Sequence, residues 1–165
     1  MTEPSRLVIH ETGGPEVIQR EALRLPEPGP GQILIRQQAV GLNFIDTYHR
    51  SGLYELALPS GLGSEGAGIV ESVGEGVTRF RPGDRAGSFS PPLGAYATHR
   101  LVAEDRAVAI PDGIDSETAA AMMLKGCTAE FLVERCARVR AGDTVLVHAA
   151  AGGVGSILVP WVEGI

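Results

Sequence analysis

His148-Ala149-Ala150-Ala151-Gly152-Gly153-Val154-Gly155 follows the apolar run Val145-Leu146-Val147 and precedes Ser156-Ile157-Leu158-Val159. That order predicts a strand, a glycine-rich turn and the start of a helix. Glycines in such a turn let the backbone come close to a phosphate. The helix N-terminus behind it supplies unpaired N–H groups and a partial positive charge. Ala150-x-Gly152-x-x-Gly155 fits the dinucleotide fingerprint G-x-G-x-x-G with alanine in the first position. The same residues also fit a glycine-rich turn that holds no ligand.

Working outward, the residues just upstream continue the α/β pattern. Asp115 or Ser116 can cap a helix running to about Leu124, with Glu117 in its first turn. Lys125-Gly126 separates it from a second helix, about Thr128 to Arg138. Ala141-Gly142-Asp143 is a turn, and Thr144–His148 is the expected strand before the glycines. Downstream, Pro160 lies near the second turn of the last helix, where proline removes a hydrogen bond and costs about 3 kcal/mol. A dinucleotide site needs a βαβ unit of roughly 30 residues, with a ribose-reading residue about 20 positions after the glycines. That position falls beyond residue 165, so the expectation is a chain shortened at its C-terminus that carries the phosphate turn without the rest of its domain.

Residues 6–111 read differently. Arg6–His10, the stretch from Val17 to about Leu23, Ile33–Gly41, Gly66–Gly74, Gly94–Val102 and Ala107–Pro111 are expected strands, separated by Gly/Pro turns such as Pro82-Gly83-Asp84. Many short strands with such turns predict a small β-barrel or sandwich. Glycines inside the Gly66–Gly74 strand predict close backbone approach or bends. Asn43 to about Arg50 is a short helix that Asn43 can cap, with Phe44 and Tyr48 on one face. The change of character at Pro111-Asp112-Gly113 divides the chain into residues 1–114 and 115–165.

The 165 residues are 44% hydrophobic and 21% charged, with a net charge of −6. This is a globular composition. No basic cluster marks a nucleic-acid or anionic-membrane partner. No apolar run approaches the ~20 residues of a membrane helix. Met1–Arg6 has no apolar core of a secretory signal, so the cytoplasm is the default compartment. Cys127 and Cys136, about 900° apart if their segment is one helix, would lie on opposite faces and share neither a disulfide nor a metal. Both are expected to be buried thiols. His10, His49, His99 and His148 are scattered, without zinc-motif spacing.

Several stretches together resemble a known family. These are Gly13-Gly14-Pro15-Glu16-Val17, Gly41-Leu42-Asn43-Phe44-Ile45-Asp46-Thr47-Tyr48, Arg50-Ser51-Gly52-Leu53-Tyr54 and Pro59 to Gly68. Gly83-Asp84-Arg85, Gly94-Ala95-Tyr96, Leu124-Lys125-Gly126-Cys127-Thr128 and His148–Gly155 continue the match. In order, they resemble the NADPH:quinone oxidoreductases of the zeta-crystallin type, a zinc-free branch of the medium-chain dehydrogenase/reductase superfamily. The resemblance implies a mainly β GroES-like barrel domain over residues 1–114. It then implies connecting helices and the first α/β elements of an incomplete Rossmann domain over 115–165. Full-length members are expected to be homodimers. Zinc-dependent relatives carry a cysteine near Asn43 and a histidine where Ser64 stands. Neither replacement is a good zinc ligand, and no metal is expected.

The resemblance also assigns residues. Tyr54 and Tyr48 are the expected catalytic side chains near the nicotinamide; as residues alone they also read as half-buried aromatics. Asn43, Phe44 and Asp46 match the segment facing the nicotinamide ribose; helix capping and core packing explain them equally. Thr128 matches a position near the nicotinamide, or caps a helix. Gly152, Gly153, Val154 and Gly155 are expected to hold the pyrophosphate of NADPH. Lys125 is either a phosphate contact or a solvated loop lysine. Glu65, Asp84 and His148 read as structural. The implied activity is zinc-independent transfer of a hydride or electrons from NADPH to quinones or related α,β-unsaturated carbonyls. The alternative is an inactive shortened chain, or an isolated barrel domain acting as a binding or interaction module.

Overall fold

The computed structural model of the chain describes residues 3–89 and 91–165. Met1 and Thr2, part of the stretch read for a signal, lie outside them. The chain divides into two compact units, Met1–Ala121 and Met122–Ile165.

The first unit is built from short strands. In order these are β1 (Ser5–Ile9), β2 (Gln19–Ala22), β3 (Gln32–Gly41), helix α1 (Phe44–Ser51), β4 (Ser60–Gly61), β5 (Glu65–Val73), β6 (Arg85–Ser88), β7 (His99–Ala103) and β8 (Val108–Ala109). They form two open sheets, β2-β1-β4 and β7-β3-β5-β6-β8, antiparallel throughout. An isolated antiparallel bridge joins Arg6 of β1 to Ala97. The β-rich first part expected from the Gly/Pro punctuation is therefore present.

The long pair β3 and β5 carries two register shifts, between Leu34 and Ile35 and between Gln37 and Ala39. The first skips Glu71 and the second lies beside Gly68, where glycines of β5 make room. A Cβ on Gly68 would overlap the Arg36 carbonyl, and one on Gly66 would overlap the Gln37 side chain. Bulged backbone comes this close only to glycine. The core against this sheet is Ile33, Ile35, Val70, Phe80, Ala86, Val102 and Ala107, with Val73 and Val77 packed on it.

The strand expected from Gly94 begins only at His99. The amides of Gly94 and Ala95 bond to the Gly63 carbonyl at 2.9 and 3.0 Å, and that of Tyr96 to Leu62 at 2.9 Å. Gly94 also takes a positive φ of 127°. This segment is spent on holding residues 62 and 63 rather than on a ladder.

Asp115 caps α2 (Ser116–Glu130) as expected, its carboxylate accepting the Thr118 N–H at 2.6 Å. The expected break at Lys125-Gly126 does not occur, and a π-helical stretch, Phe131–Ala137, follows α2 directly. Glycine within a helix costs only about 1 kcal/mol relative to alanine, too little to end one. In the second unit Ala129, Val133 and Leu158 form a small core with Val139, Val147, Val154, Ile157 and Val162. Thr144–His148 is not a strand. Among the described residues this unit holds no strand to pair with it, and strand structure requires a partner. Leu146 is consequently 81% exposed. The turn leads, as expected, into helix α3 (Gly155–Glu163), which contains Pro160. Cys127 and Cys136 are exposed rather than buried; the small core of this unit closes without them.

Candidate functional site

Asn43 stands at the N-cap of α1 in extended conformation, and Gly52 ends the helix at φ 82°. The helix turn places every fourth side chain on one face. Phe44 and Tyr48 meet edge to face at 5.2 Å between ring centroids. Tyr54 folds back beside them, its ring 5.3 Å from Tyr48 and 5.8 Å from His49. Its amide bonds to the Tyr48 carbonyl at 3.2 Å. Phe44 is 74% exposed and Tyr54 48%. Leu42 and Leu53 lie open in the same segment. Tyr48 lies half-buried between the two open rings.

Beneath the row lies a buried polar network. Asp46 is 4% exposed and Glu65 fully buried. The Asp46 carboxylate accepts the Asn43 backbone N–H at 2.9 Å, the Tyr96 phenol at 2.6 Å and the Ser64 hydroxyl at 3.4 Å. The Asn43 side-chain amide donates to Glu65 at 2.8 Å. Burial, and then the bond to the Asp46 carboxylate, push the Tyr96 phenol pKa well above its ordinary value. Tyr96 thus stays protonated as a donor. A Cβ on Gly41 would overlap the Ala120 carbonyl first and then the Glu65 carboxylate. Arg100, also buried, donates to the carbonyls of Ser64 at 3.1 Å and Pro92 at 2.6 Å, and burial lowers its pKa.

In the second unit, Thr128 and Gly152–Gly155 line one cavity of about 610 Å³ together with Leu132, Val145 and Leu158. A Cβ on Gly155 would overlap the carbonyl oxygens of Ala149 and Ala150. The turn is therefore as tight as the fingerprint requires. The Ser156 and Ile157 amides bond to Gly152 and Val154 carbonyls at 2.8 and 3.1 Å. Those of Gly153 and Val154 have no partner among the described residues, which leaves donors suited to a phosphate. The aliphatic stem of Lys125 lies against Gly153. Lys125 is thus helical rather than in a loop, and so is Thr128, whose hydroxyl donates to Leu124 at 2.7 Å instead of capping a helix. The phosphate end of a dinucleotide fits these residues.

Residues 29–112 match the alcohol dehydrogenase GroES-like domain, about half of the chain. The chain belongs to this family. Within it, the chain is similar to a quinone oxidoreductase of Pseudomonas aeruginosa, at 53% identity over 93% of this chain and 47% of the relative. It is 45% identical to a 2-haloacrylate reductase from a Burkholderia species, over 94% of this chain and 49% of that one. The structure of Escherichia coli quinone oxidoreductase complexed with NADPH superposes with a TM-score of 0.95 at 43% identity, covering 97% of this chain and 49% of that one. The resemblance to quinone oxidoreductases read from the motifs is borne out. The chain spans about half the length of the curated relatives it matches.

The structure brings Asn43, Phe44, Asp46, Tyr48 and Tyr54 together in the first unit, and Thr128 with Gly152, Gly153, Val154 and Gly155 in the second. Asp46 and Asn43 point into the buried network, while Phe44, Tyr48 and Tyr54 form the surface row. Sequence reasoning missed Tyr96, which reaches Asp46 across 50 residues. Among the described residues no group of three or more His, Cys, Asp or Glu is arranged to hold a metal. Among them, too, no helix is long and apolar enough to cross a membrane.

Proposed function

We propose that this chain is the acceptor-side and phosphate-turn portion of a zinc-independent reductase that uses NADPH. Its acceptors are quinones or related α,β-unsaturated carbonyls. In this reading residues 1–114 form the domain that receives the acceptor, and residues 115–165 open the dinucleotide-binding domain. The observation that carries it is the turn before α3, with its tight Gly155 and the unengaged amides of Gly153 and Val154. The relatives supply the acceptor class: their names span quinone and 2-haloacrylate reduction, both hydride addition to an electron-poor conjugated system.

NADPH supplies a hydride when bound, and the reduced acceptor takes up one proton from solvent. The chain's own residues orient and desolvate. Gly153, Val154 and Gly155 offer N–H groups to the pyrophosphate, and Lys125 brings positive charge beside them. Thr128 borders the same cavity. Tyr48, Tyr54 and Phe44 present ring faces and edges to a flat acceptor. Zinc independence rests on the residues standing at the metal positions: Asn43 is bonded to Glu65 and Ser64 to Asp46.

The test is an NMR titration of the chain with NADPH, following the Gly152–Gly155 amides. Shifts at these amides, abolished by Gly155→Val, are expected. A titration that leaves them unmoved refutes the reading. Stoichiometric zinc in the purified protein would refute the metal-free part.

A further inference from the structure

We propose that Tyr96 is a positioning residue, which through Asp46 fixes the first turn of α1 and with it the Phe44–Tyr48–Tyr54 row. The rings reach that row by a short mechanical path. Phe44 is the first residue of α1 and Asp46 its third. The Asp46 carboxylate takes the Asn43 N–H at 2.9 Å, so it closes the start of the helix on itself. Nothing in that local loop says where the helix start lies on the sheets. The Asn43 side-chain amide ties that turn to Glu65 of β5 at 2.8 Å, and Tyr96 ties its carboxylate to a second segment. The Tyr96 hydroxyl, 2.6 Å from Asp46, comes from the segment between Gly94 and β7, 50 residues away.

That segment is itself pinned. The Tyr96 amide bonds to Leu62 at 2.9 Å, and its carbonyl accepts the Leu7 N–H of β1 at 2.7 Å. The ring lies directly against Gly63, where a Cβ would overlap it and where φ is +82°. Tyr96 therefore transmits the position of β1 and of residues 62–63 to the start of α1. Ser64, at 3.4 Å, adds a second and longer tie to the other carboxylate oxygen. A hydrogen bond to a charged, buried acceptor is the strong kind, worth roughly tenfold or more in a local equilibrium.

The part of this inference that concerns acceptor binding rests on the proposed function; the positioning itself does not. Tyr96→Phe keeps the ring on Gly63 and removes only the hydroxyl. In the full chain it is expected to speed hydrogen exchange of the Asn43 and Asp46 amides about tenfold. It should also shift the Tyr48 and Tyr54 ring resonances, while the Ile35 and Val70 amides of the sheet keep their protection. Asp46→Asn should reproduce the effect. If exchange and ring resonances in Tyr96→Phe equal those of the parent, the positioning role is overturned. A second arm uses duroquinone, whose ring positions are all methylated and so resist addition by Cys127 and Cys136. The parent is expected to show duroquinone-induced shifts at Tyr48 and Tyr54, and Tyr96→Phe to bind severalfold more weakly. A parent without such shifts overturns the acceptor reading of the row, and the exchange arm still decides the role of Tyr96.

Discussion

Gly63→Ala should be among the most damaging single-methyl additions in the first unit. Two costs combine. Gly63 has φ +82°, and a side chain in left-handed backbone costs roughly 1–2 kcal/mol. The new Cβ would also fall within the Tyr96 ring, so the ring must move and its phenol must leave the Asp46 carboxylate. Losing a hydrogen bond to a charged group adds about 1.5–3 kcal/mol. The sum, about 2.5–5 kcal/mol, is a large part of the 5–15 kcal/mol typical of a domain. Gly31→Ala separates the terms. Gly31 has φ +69°, yet no heavy atom lies within 4 Å of a Cβ placed there, so only the backbone cost applies. Urea unfolding followed by far-UV circular dichroism measures both. In a Tyr96→Ala background the Gly63→Ala cost should fall to that of Gly31→Ala, since coupling between touching residues is what such a cycle reads. The reasoning fails if Gly63→Ala costs no more than Gly31→Ala, or if its cost is the same with and without the Tyr96 ring.

Two further outcomes follow from the same unit. Phe80 is 6% exposed in the core with Ile35, Val70 and Val102, so Phe80→Ala should cost about 3–5 kcal/mol by urea unfolding; a loss below about 1 kcal/mol would contradict its placement. Glu104 accepts the Thr78 and Arg79 amides at 3.0 and 2.9 Å, which lowers its pKa below the ordinary 4.5. A depressed folded-state pKa gives stability that is present above the unfolded value and lost as pH falls through it. The thermal midpoint should therefore drop as pH falls below about 4.5, and Glu104→Gln should flatten that drop; an unchanged acid limb in the variant would show the contact to be inert.

What was legible in the sequence was what short-range chemistry decides. Asp115 caps its helix, and Phe44 and Tyr48 meet one turn apart, because each depends on neighbours a few residues away. The failures share a different cause. Val145-Leu146-Val147 has the composition of a strand, but strand structure belongs to a pair, and the second unit offers no partner among the described residues. Lys125-Gly126 does not break α2, because the propensity cost of one glycine is smaller than the cooperativity of the helix around it. Residue type alone puts Cys127 and Cys136 inside, and neither is buried. The residues expected at the site gather in two places, Phe44, Tyr48 and Tyr54 in a row and Gly152–Gly155 in a turn. The tie of Tyr96 to Asp46 was not legible, since no periodicity links positions 50 residues apart.

The identity of residue 43 shows how the buried network and the helix constrain each other. Helix capping alone accepts asparagine, aspartate or serine about equally. The Asn43 backbone N–H serves Asp46, and that bond survives any of the three. Glu65 does not accept them equally. It is fully buried and receives the Asn43 side-chain amide at 2.8 Å. An aspartate would set a second carboxylate against it, where burial makes like charges costly. A serine hydroxyl would end one bond short of the amide nitrogen and leave the Glu65 oxygen without that donor. Gly41 is constrained beside it, because a Cβ there would meet both the Ala120 carbonyl and the Glu65 carboxylate. Asparagine at 43 and glutamate at 65 are thus one choice. It is the choice of a buried carboxyl group met by a hydrogen bond from the helix cap itself.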